Sequence, residues 1–133
     1  MSLTVTVTKK EEGVFTVTPV GSIDTETHPI LEEKLKPVLV ASTKAVVLDL
    51  SGVDYVSSMG LSVIFRTKMT LTELRATLAI VNAQPQIKKV FDAVKVLPEN
   101  YFSTMEEAEH YLDEFLSHIQ KKELDKGDAG KDG

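Results

Sequence analysis

The stretch that decides the fold is Ala45–Leu61, which reads AVVLDLSGVDYVSSMGL. It opens with an apolar run, Ala45–Leu50, that only Asp49 interrupts, a pattern typical of a central strand covered on both faces. It ends in a turn, Ser57–Gly60, that leads into apolar residues at helical spacing. A buried strand that leads through a loop into a helix indicates an α/β domain.

Two extended runs precede this stretch. Residues Leu3–Thr8 alternate strictly between apolar residues and threonine, and a second extended run covers Val14–Val20. The polar turn between them predicts an antiparallel hairpin, and Pro19 predicts a bulge or a sheet edge near the end of the second strand. A helix follows, for which Thr25 or Thr27 is the expected cap.

Three further helices and two further strands are predicted along the chain. In the helix that follows the hairpin, Pro37 predicts a kink or an early end. Its apolar stripe consists of Ile30, Leu31, Leu35, Val38 and Leu39. The helix after the turn covers about residues 61–75, and its predicted buried face consists of Leu61, Ile64, Phe65 and Leu71. A strand is predicted at Thr77–Val81, and the helix after it has one apolar face, which consists of Ile87, Val90, Phe91 and Val94. A short strand is predicted at Tyr101–Phe102. The final helix is amphipathic and opens with the capping box Thr104/Glu107.

Alternating strands and helices predict the fold class. We expect an α/β domain with a mixed, mostly parallel sheet of four to five strands, flanked by about four helices. Residues 1–119 are expected to form this single domain. Residues 120–133 contain few apolar side chains and are expected to form a disordered C-terminal tail.

Composition excludes several functional classes. With 20 acidic and 15 basic side chains the net charge is −5, so nucleic-acid binding is not expected. The chain has no cysteine, and His28, His110 and His118 lack the spacing of a metal site, so neither a metal nor a cofactor is expected. No apolar run approaches the roughly 18 residues that span a bilayer, and the start of the chain does not resemble a signal peptide. A cytoplasmic protein without membrane insertion is therefore predicted.

The turn Ser57–Gly60 places two hydroxyl groups at a helix N-terminus. Free backbone N–H groups and the positive end of the helix dipole meet there, so a phosphate on Ser57 or Ser58 is electrostatically favoured. It would add about 1.5 to 2 negative charges. The alternative is that one of these serines simply caps the helix, which contributes roughly 1 kcal/mol, and the spacing alone favours the cap.

A catalytic serine is a further hypothesis, because Ser58-Met59-Gly60 matches the second half of the Gly-x-Ser-x-Gly nucleophile elbow. However, Val56 replaces the first glycine of that motif, no glycine-rich oxyanion loop precedes it, and the histidines near the end of the chain have no assigned acid partner. The sequence therefore predicts a protein that is not an enzyme.

Two aspartates are further candidates. Asp49 lies inside an apolar strand and needs a hydrogen-bonding or ionic partner unless it sits at the exposed end of that strand. Asp24 follows the second strand, where a carboxylate either caps the next helix or faces a ligand. A structural role is favoured for Asp49, and both roles stay open for Asp24.

Several segments together resemble a known family, the STAS domain of bacterial anti-sigma factor antagonists. The resemblance covers about residues 3–118, in order and at the expected spacings. It rests on Gly21–Asp24, Val46–Ser51, Ser57–Leu61, Leu78–Asn82 and the helix that contains Ile87, Val90 and Phe91. It implies a mixed sheet flanked by helices and a protein-binding switch, whose partner is an anti-sigma factor that is often a serine kinase.

In the family that the chain resembles, the kinase phosphorylates the serine immediately before the glycine of an Asp-Ser-Ser-Gly-Leu motif. Aligned on Gly60-Leu61, that position is Met59, which cannot accept a phosphate. Either Ser58 is the acceptor, with Ser57 as a second candidate, or the domain binds its partner without this switch. The expected partner surface comprises Asp24, Thr25, Ser57, Ser58, Met59 and Gly60, with the exposed side of the following helix.

Two functions follow from the resemblance. The first is a regulator of transcription that binds an anti-sigma factor or serine kinase and is controlled by serine phosphorylation. The second is a STAS-type accessory or scaffold subunit of a lipid-transport or stress-signalling complex, without a phosphoswitch. The oligomeric state stays open, and a homo-oligomer is compatible with both functions.

Overall fold

The structure is a computed structural model that describes residues 2–94 and 101–132, with side chains as far as His118. Its elements in chain order are β1 (Leu3–Glu11), β2 (Val14–Ile23), α1 (His28–Leu35), β3 (Ala45–Asp49), β4 (Gly52–Val56), α2 (Ser58–Glu73), β5 (Thr77–Val81), α3 (Pro85–Val94), β6 (Tyr101–Phe102) and α4 (Met105–Asp132). A 3₁₀ turn, Lys36–Val38, follows α1, in line with the early end that Pro37 predicted. No helix within the described ranges has the length and apolar character needed to cross a bilayer.

The described strands form one mixed sheet. Its order is β1-β2-β3-β5-β6, and β4 pairs with β2 alongside this path. The β1–β2 pair is antiparallel, whereas the pairs β2–β3, β2–β4, β3–β5 and β5–β6 are parallel. This topology, with its four helices, confirms the predicted α/β class with a mixed, mostly parallel sheet.

Strand β4 makes the sheet six-stranded, where the sequence predicted four to five strands. The sequence predicts that this segment is part of the loop before the turn, and the buried residues of β4, Val53 and Val56, are three positions apart instead of the two-residue period of a strand. The pairing of β4 with β2 shifts register between Gly21 and Ser22. This irregularity breaks the alternation by which a half-buried strand is recognised.

Pro19 lies inside the sheet, on β2, so of the two predicted alternatives, a bulge or an edge, the edge does not apply. Strand β2 pairs with β3 through Val14–Val17 and with β4 through Val20–Ile23. Pro19 falls between these two ladders, where no parallel partner requires a backbone N–H. The predicted bulge is present as the register shift between Gly21 and Ser22.

Helices cover both faces of the sheet. Helices α1, α2 and α3 pack on one face, in a core that includes Ile23, Leu31, Ile64 and Ile87. Helix α4 packs on the opposite face, in a second cluster that includes Val47, Val81, Ala108 and Leu112. Because alternate residues of a strand point to opposite faces, β3 contributes to both cores. This is why its sequence is a nearly continuous apolar run.

Three exposed apolar side chains correct the predicted buried faces. Phe65 of α2 is 42% exposed, Ile30 of α1 is 40% exposed and Val94 of α3 is 44% exposed. Helix α2 begins at Ser58 rather than near residue 61. Its buried face consists of Gly60, Val63, Ile64, Thr67 and Leu71. Since consecutive helical residues are about 100° apart, Phe65 is turned out of this stripe.

Helix α4 opens with half of the predicted capping box. The hydroxyl of Thr104 accepts a hydrogen bond from the N–H of Glu107 at 3.2 Å. The helix continues to Asp132, through the segment 120–133 whose composition predicts a disordered tail. The division of the chain into a folded domain and a tail therefore stays a prediction, which a truncation can test.

Candidate functional site at the start of helix α2

Gly60 sets how closely helix α2 approaches the sheet. It is buried in the first turn of α2, where the N–H of Ser57 donates to the carbonyl of Ile23 at 2.8 Å. A Cβ atom on Gly60 would lie 2.6 Å from that carbonyl oxygen and 3.0 Å from Cγ1 of Val56. A contact this short with backbone is not tolerated, so only glycine permits the packing. The turn is thereby held against the carboxyl ends of β2 and β4.

Ser57 caps helix α2, and Ser58 is its first helical residue. Ser57 has an extended backbone, and its Oγ accepts a hydrogen bond from the N–H of Gly60 at 3.2 Å. This contact satisfies one of the N–H groups that a helix leaves without an internal partner. Ser58 is exposed. The cap interpretation therefore holds for Ser57, whereas Ser58 presents a hydroxyl to solvent at the positive end of the helix dipole.

Asp24 organises the loop that leaves β2. Its Oδ1 accepts hydrogen bonds from the N–H groups of Thr27, at 2.9 Å, and Glu26, at 3.0 Å, and lies 3.0 Å from the Thr27 hydroxyl. These bonds, that from the Thr27 N–H above all, hold the pKa of Asp24 below its ordinary range. Thr27 is the N-cap residue of α1, one of the two predicted alternatives, but its side chain makes no capping hydrogen bond with the helix. Its hydroxyl lies instead 2.6 Å from the carbonyl of Ser22.

A hydrogen bond that the sequence analysis missed ties β2 to β4. The hydroxyl of Ser22, which is buried, donates to Oδ1 of Asp54 at 2.8 Å. Gln86, at the start of α3, donates to the carbonyl of Asp54 at 3.3 Å. In the sequence, Ser22 and Asp54 stand out only as polar residues in otherwise apolar segments. They are 32 positions apart, and no local pattern indicates that they are partners. The contact holds together the two strands from which the site emerges.

Asp49 has the hydrogen-bonding partners that its place in an apolar strand predicted. Its Oδ1 accepts from the N–H of Ser51 at 3.0 Å and from Nδ2 of Asn82 at 3.4 Å. Asn82 has a φ of 58°, the left-handed conformation that asparagine tolerates well. Asp49 thus joins the ends of β3 and β5, which is a structural role.

The outer face of α2 carries an apolar strip. Met59 is 40% exposed, Phe65 42% and Met69 48%. At about 100° per residue, Phe65 and Met69 project on the same side of the helix as Ser58, with Met59 at the margin. We call Ser58, Met59, Ser62, Phe65 and Met69 the α2 strip. Large apolar side chains exposed together on one face are typical of a protein-binding surface.

The α2 strip contains no charged side chain. Arg66, whose direction on the helix falls between those of Ser62 and Met59, donates to Oε1 of Glu32 on α1 at 2.9 Å, and Nδ1 of His28 lies 3.3 Å from the same oxygen. Among the side chains that the structure describes, in residues 2–94 and 101–118, no cluster of three or more His, Cys, Asp or Glu could hold a metal ion. The histidines of α4 are across the sheet from Ser58, so they form no catalytic pair with it. The arrangement is suited to binding a protein surface.

Comparison with known proteins identifies the family. Residues 6–110 match the STAS domain, and the chain belongs to the STAS domain family. The crystal structure of an anti-sigma factor antagonist from Mycobacterium paratuberculosis is similar, with a TM-score of 0.67 and 28% identity over 83% of this chain and 93% of that one. BtrV of Bordetella bronchiseptica, described as a candidate anti-sigma factor antagonist, is 28% identical over 83 residues, which cover 62% of this chain and 72% of BtrV.

A third likeness concerns the fold alone. The anti-sigma factor antagonist SpoIIAA of Bacillus, in its unphosphorylated form, has a TM-score of 0.72 at 14% identity over 83% of this chain and 96% of SpoIIAA. Together these matches confirm the family resemblance. The chain is thus similar to anti-sigma factor antagonists.

Proposed function

We propose that this chain is an anti-sigma factor antagonist that binds an anti-sigma factor of the serine-kinase type. The partner surface in this proposal is the α2 strip together with Asp24, Thr25, Ser57 and Gly60. The observation that carries the proposal is the exposure of Met59, Phe65 and Met69 on a helix whose first turn is pinned to the sheet. The family membership supports the choice of partner.

The surface divides into residues that build it and residues that contact the partner. Asp24, Ser57 and Gly60 make the hydrogen bonds and the close packing that hold the loop and the helix start in place. Thr25, like the α2 strip, is exposed and lies next to this framework. A preorganised surface binds more tightly because less conformational entropy is lost on association. Substituting a framework residue therefore affects both stability and binding, whereas substituting a contact residue affects binding.

Phosphorylation of Ser58 is the control that we propose for this surface. The Ser57 hydroxyl already accepts the N–H of Gly60, whereas Ser58 is exposed at the helix start. A phosphate on Ser58 would add about 1.5 to 2 negative charges to an uncharged strip. A partner that buries Phe65 and Met69 would have to desolvate those charges, so binding would weaken.

The binding proposal is tested by isothermal titration calorimetry with each anti-sigma kinase of the source organism. Phe65→Ala is expected to weaken binding by roughly 2 kcal/mol, about 30-fold, as for other buried aromatic anchors. The matched control is Val40→Ala, since Val40 is also 42% exposed but lies outside the strip. Equal affinities of the two variants would show that the α2 strip is not the contact surface.

The phosphorylation proposal has its own test. The chain is incubated with a bound kinase and ATP, and its peptides are analysed by mass spectrometry. Ser58→Ala is expected to abolish the modification, and Ser62→Ala, one helical turn further along the same face, to leave it intact. An unmodified Ser57-Ser58 peptide in the wild type would rule out regulation by phosphorylation of Ser58 and would leave the binding proposal unaffected.

A second candidate function is supported by Met59. The residue stands where the family that this chain resembles has its phosphoacceptor, and a STAS-type scaffold subunit of a lipid-transport or stress-signalling complex needs no acceptor. Gene neighbourhood distinguishes the two candidates. Neighbouring genes for sigma factors and kinases support the antagonist, whereas genes for transporter subunits support the scaffold.

A further inference from the structure

Strand β1 forms one border of the sheet, and its first six residues present a backbone edge that no charge, proline or bulge protects. Within the described ranges β1 pairs with β2 alone. Its residues Leu3–Thr8 contain no proline, glycine or charged side chain, and its register with β2 is regular until the shift between Lys9 and Glu11. Proteins usually protect such an edge with charges, prolines or bulges, because unpaired N–H and C=O groups attract another strand. The free backbone edge of Leu3–Thr8 can therefore accept another β-strand.

The lysines that follow this segment are engaged with their own chain. The Nζ of Lys9 lies 3.0 Å from Oε2 of Glu12, and the Nζ of Lys10 lies 3.8 Å from Oε1 of Glu109 on α4. Both side chains are thus oriented by their own ion pairs. Both ion pairs are solvent-exposed and weak, so the lysines keep their charge and confine any added strand to Leu3–Thr8.

An apolar groove runs beside this edge, between β1 and α1. Its walls are Val7, Ile30, Pro37 and Val38, with Glu33 and Lys34 at the rim. Ile30 is 40% exposed, although its sequence position suggested a buried residue. A strand that pairs with β1 would bring its own apolar side chains next to this groove, which would bury area beyond the strand itself.

We propose that a second copy of this chain pairs with β1, edge to edge and antiparallel, about a twofold axis. The occupant follows from the strand's own pattern. In an antiparallel pair, residues that lie opposite each other point their backbone groups the same way, toward or away from the partner strand. For a strand paired with its own copy, this condition brings odd-numbered residues opposite odd-numbered ones and even opposite even. Since β1 alternates, threonine meets threonine and valine meets valine.

The register centred on Thr6 fits the strand best. It places Thr6 opposite its own copy, Thr4 opposite Thr8 and Val5 opposite Val7. Pairs of β-branched residues and of threonines across two strands stabilise antiparallel sheets. The paired region ends before the irregularity of β1 at Lys9, and the grooves beside Val7 in both copies line the same seam. The contact is isologous and closes as a dimer.

Sedimentation velocity of the full chain over a concentration series tests the dimer. The wild type is expected to shift from monomer to dimer as its concentration rises. Thr6→Lys places like charges directly opposite each other and is expected to raise the dimer dissociation constant at least about tenfold. The matched control is Thr18→Lys, on the same face but one strand further in, opposite Thr6 in the β1–β2 pair, and its effect is expected to stay within about twofold. Circular dichroism checks that both variants fold.

Cysteine cross-linking tests the register. The chain has no cysteine, so an introduced thiol can pair only with its copy. Under mild oxidation Thr6→Cys is expected to form a disulfide-linked dimer rapidly, whereas Thr8→Cys, which faces Thr4 of the other copy, is not. The double variant Thr4→Cys/Thr8→Cys restores the cross-link.

Two results would overturn the proposal. One is a wild type that sediments as a monomer at every concentration, which would also be the outcome if β1 received an extended segment of a different protein. The other is equal cross-linking rates for Thr6→Cys and Thr8→Cys. Because β1 and the α2 strip share no residue, failure of this dimer leaves the proposed partner binding untouched, and the reverse also holds.

Discussion

Replacing Gly60 by alanine perturbs the contact that holds helix α2 against the sheet. The added Cβ would lie 2.6 Å from the carbonyl oxygen of Ile23, 2.8 Å from its Cγ2 and 3.0 Å from Cγ1 of Val56. Ordinary contacts of a Cβ begin at 3.4 Å, so the first turn of α2 has to retreat by about 0.8 Å from the carbonyl. The same movement stretches the hydrogen bond between the Ser57 N–H and Ile23.

Two opposing effects of this substitution can be compared in magnitude. Alanine is better than glycine in a helix interior by about 1 kcal/mol, which by itself would stabilise the protein. Overpacking a tight contact typically costs about 1–3 kcal/mol, and weakening a hydrogen bond costs roughly 1 kcal/mol more. The expected result for Gly60→Ala is therefore a decrease of about 1–3 kcal/mol in the free energy of unfolding.

Urea unfolding followed by far-UV circular dichroism measures this change as a lower midpoint with an unchanged slope. Gly52→Ala is the matched control, because the atom nearest to its added Cβ is Cγ2 of Val20, at 3.0 Å, on a side chain that is 53% exposed, and the nearest backbone oxygen, that of Pro19, is 3.3 Å away. The decrease in the free energy of unfolding for Gly52→Ala is expected to stay below about 1 kcal/mol. A Gly60→Ala protein as stable as the wild type, or more stable, would refute the reasoning, because helix propensity would then outweigh the packing.

Three further predictions concern stability. Asp24→Asn keeps an oxygen acceptor but removes the titratable carboxyl group. The pKa of Asp24 is lower in the folded chain than in the unfolded chain. The ionised carboxylate therefore stabilises the fold above the ordinary carboxyl pKa of about 4, and this stabilisation is lost as the pH falls through the lowered pKa. The free energy of unfolding should therefore fall less steeply on acidification in this variant than in the wild type, and equal slopes would contradict this. Asp54→Ala leaves the buried Ser22 hydroxyl unpaired and should reduce the free energy of unfolding by about 1–3 kcal/mol in urea titrations; no loss would show that the bond is unimportant. A chain that ends at residue 119 should keep its free energy of unfolding within about 0.5 kcal/mol of the wild-type value, and a larger loss would show that residues 120–133 pack on the domain.

The parts of the site that could be predicted are those with a local signal. Ser57 and Ser58 stand before an apolar pattern of helical spacing, so both the position of the turn and a capping role were readable. Asp49 was recognisable as structural because a carboxylate in an apolar strand requires donors, which Ser51 and Asn82 supply. In each case the prediction depends on a pattern of a few neighbouring residues, or on the need of one polar side chain for hydrogen-bonding partners.

The errors arose where a distant contact decides the outcome. Strand β4 was missed because its register shift against β2 removes the regular alternation. Phe65 was assigned to the core because several rotations of an apolar helix pattern are compatible with the sequence, and packing against the sheet selects one of them. The partner of Ser22 could not be named, since Asp54 reaches it only through the pairing of β4 with β2.

The sequence by itself determined the class of fold, the hairpin, and the place of the turn that begins at Ser57, because hydrophobic period and capping chemistry act over short distances along the chain. The tertiary structure alone decided that Ser57 is the cap and Ser58 the exposed hydroxyl, and that Phe65 and Met69 face solvent beside it. These outcomes depend on how far α2 is rotated and how deeply Gly60 sinks against Ile23. That rotation and depth are set by close packing between segments distant in the chain, which no local pattern encodes.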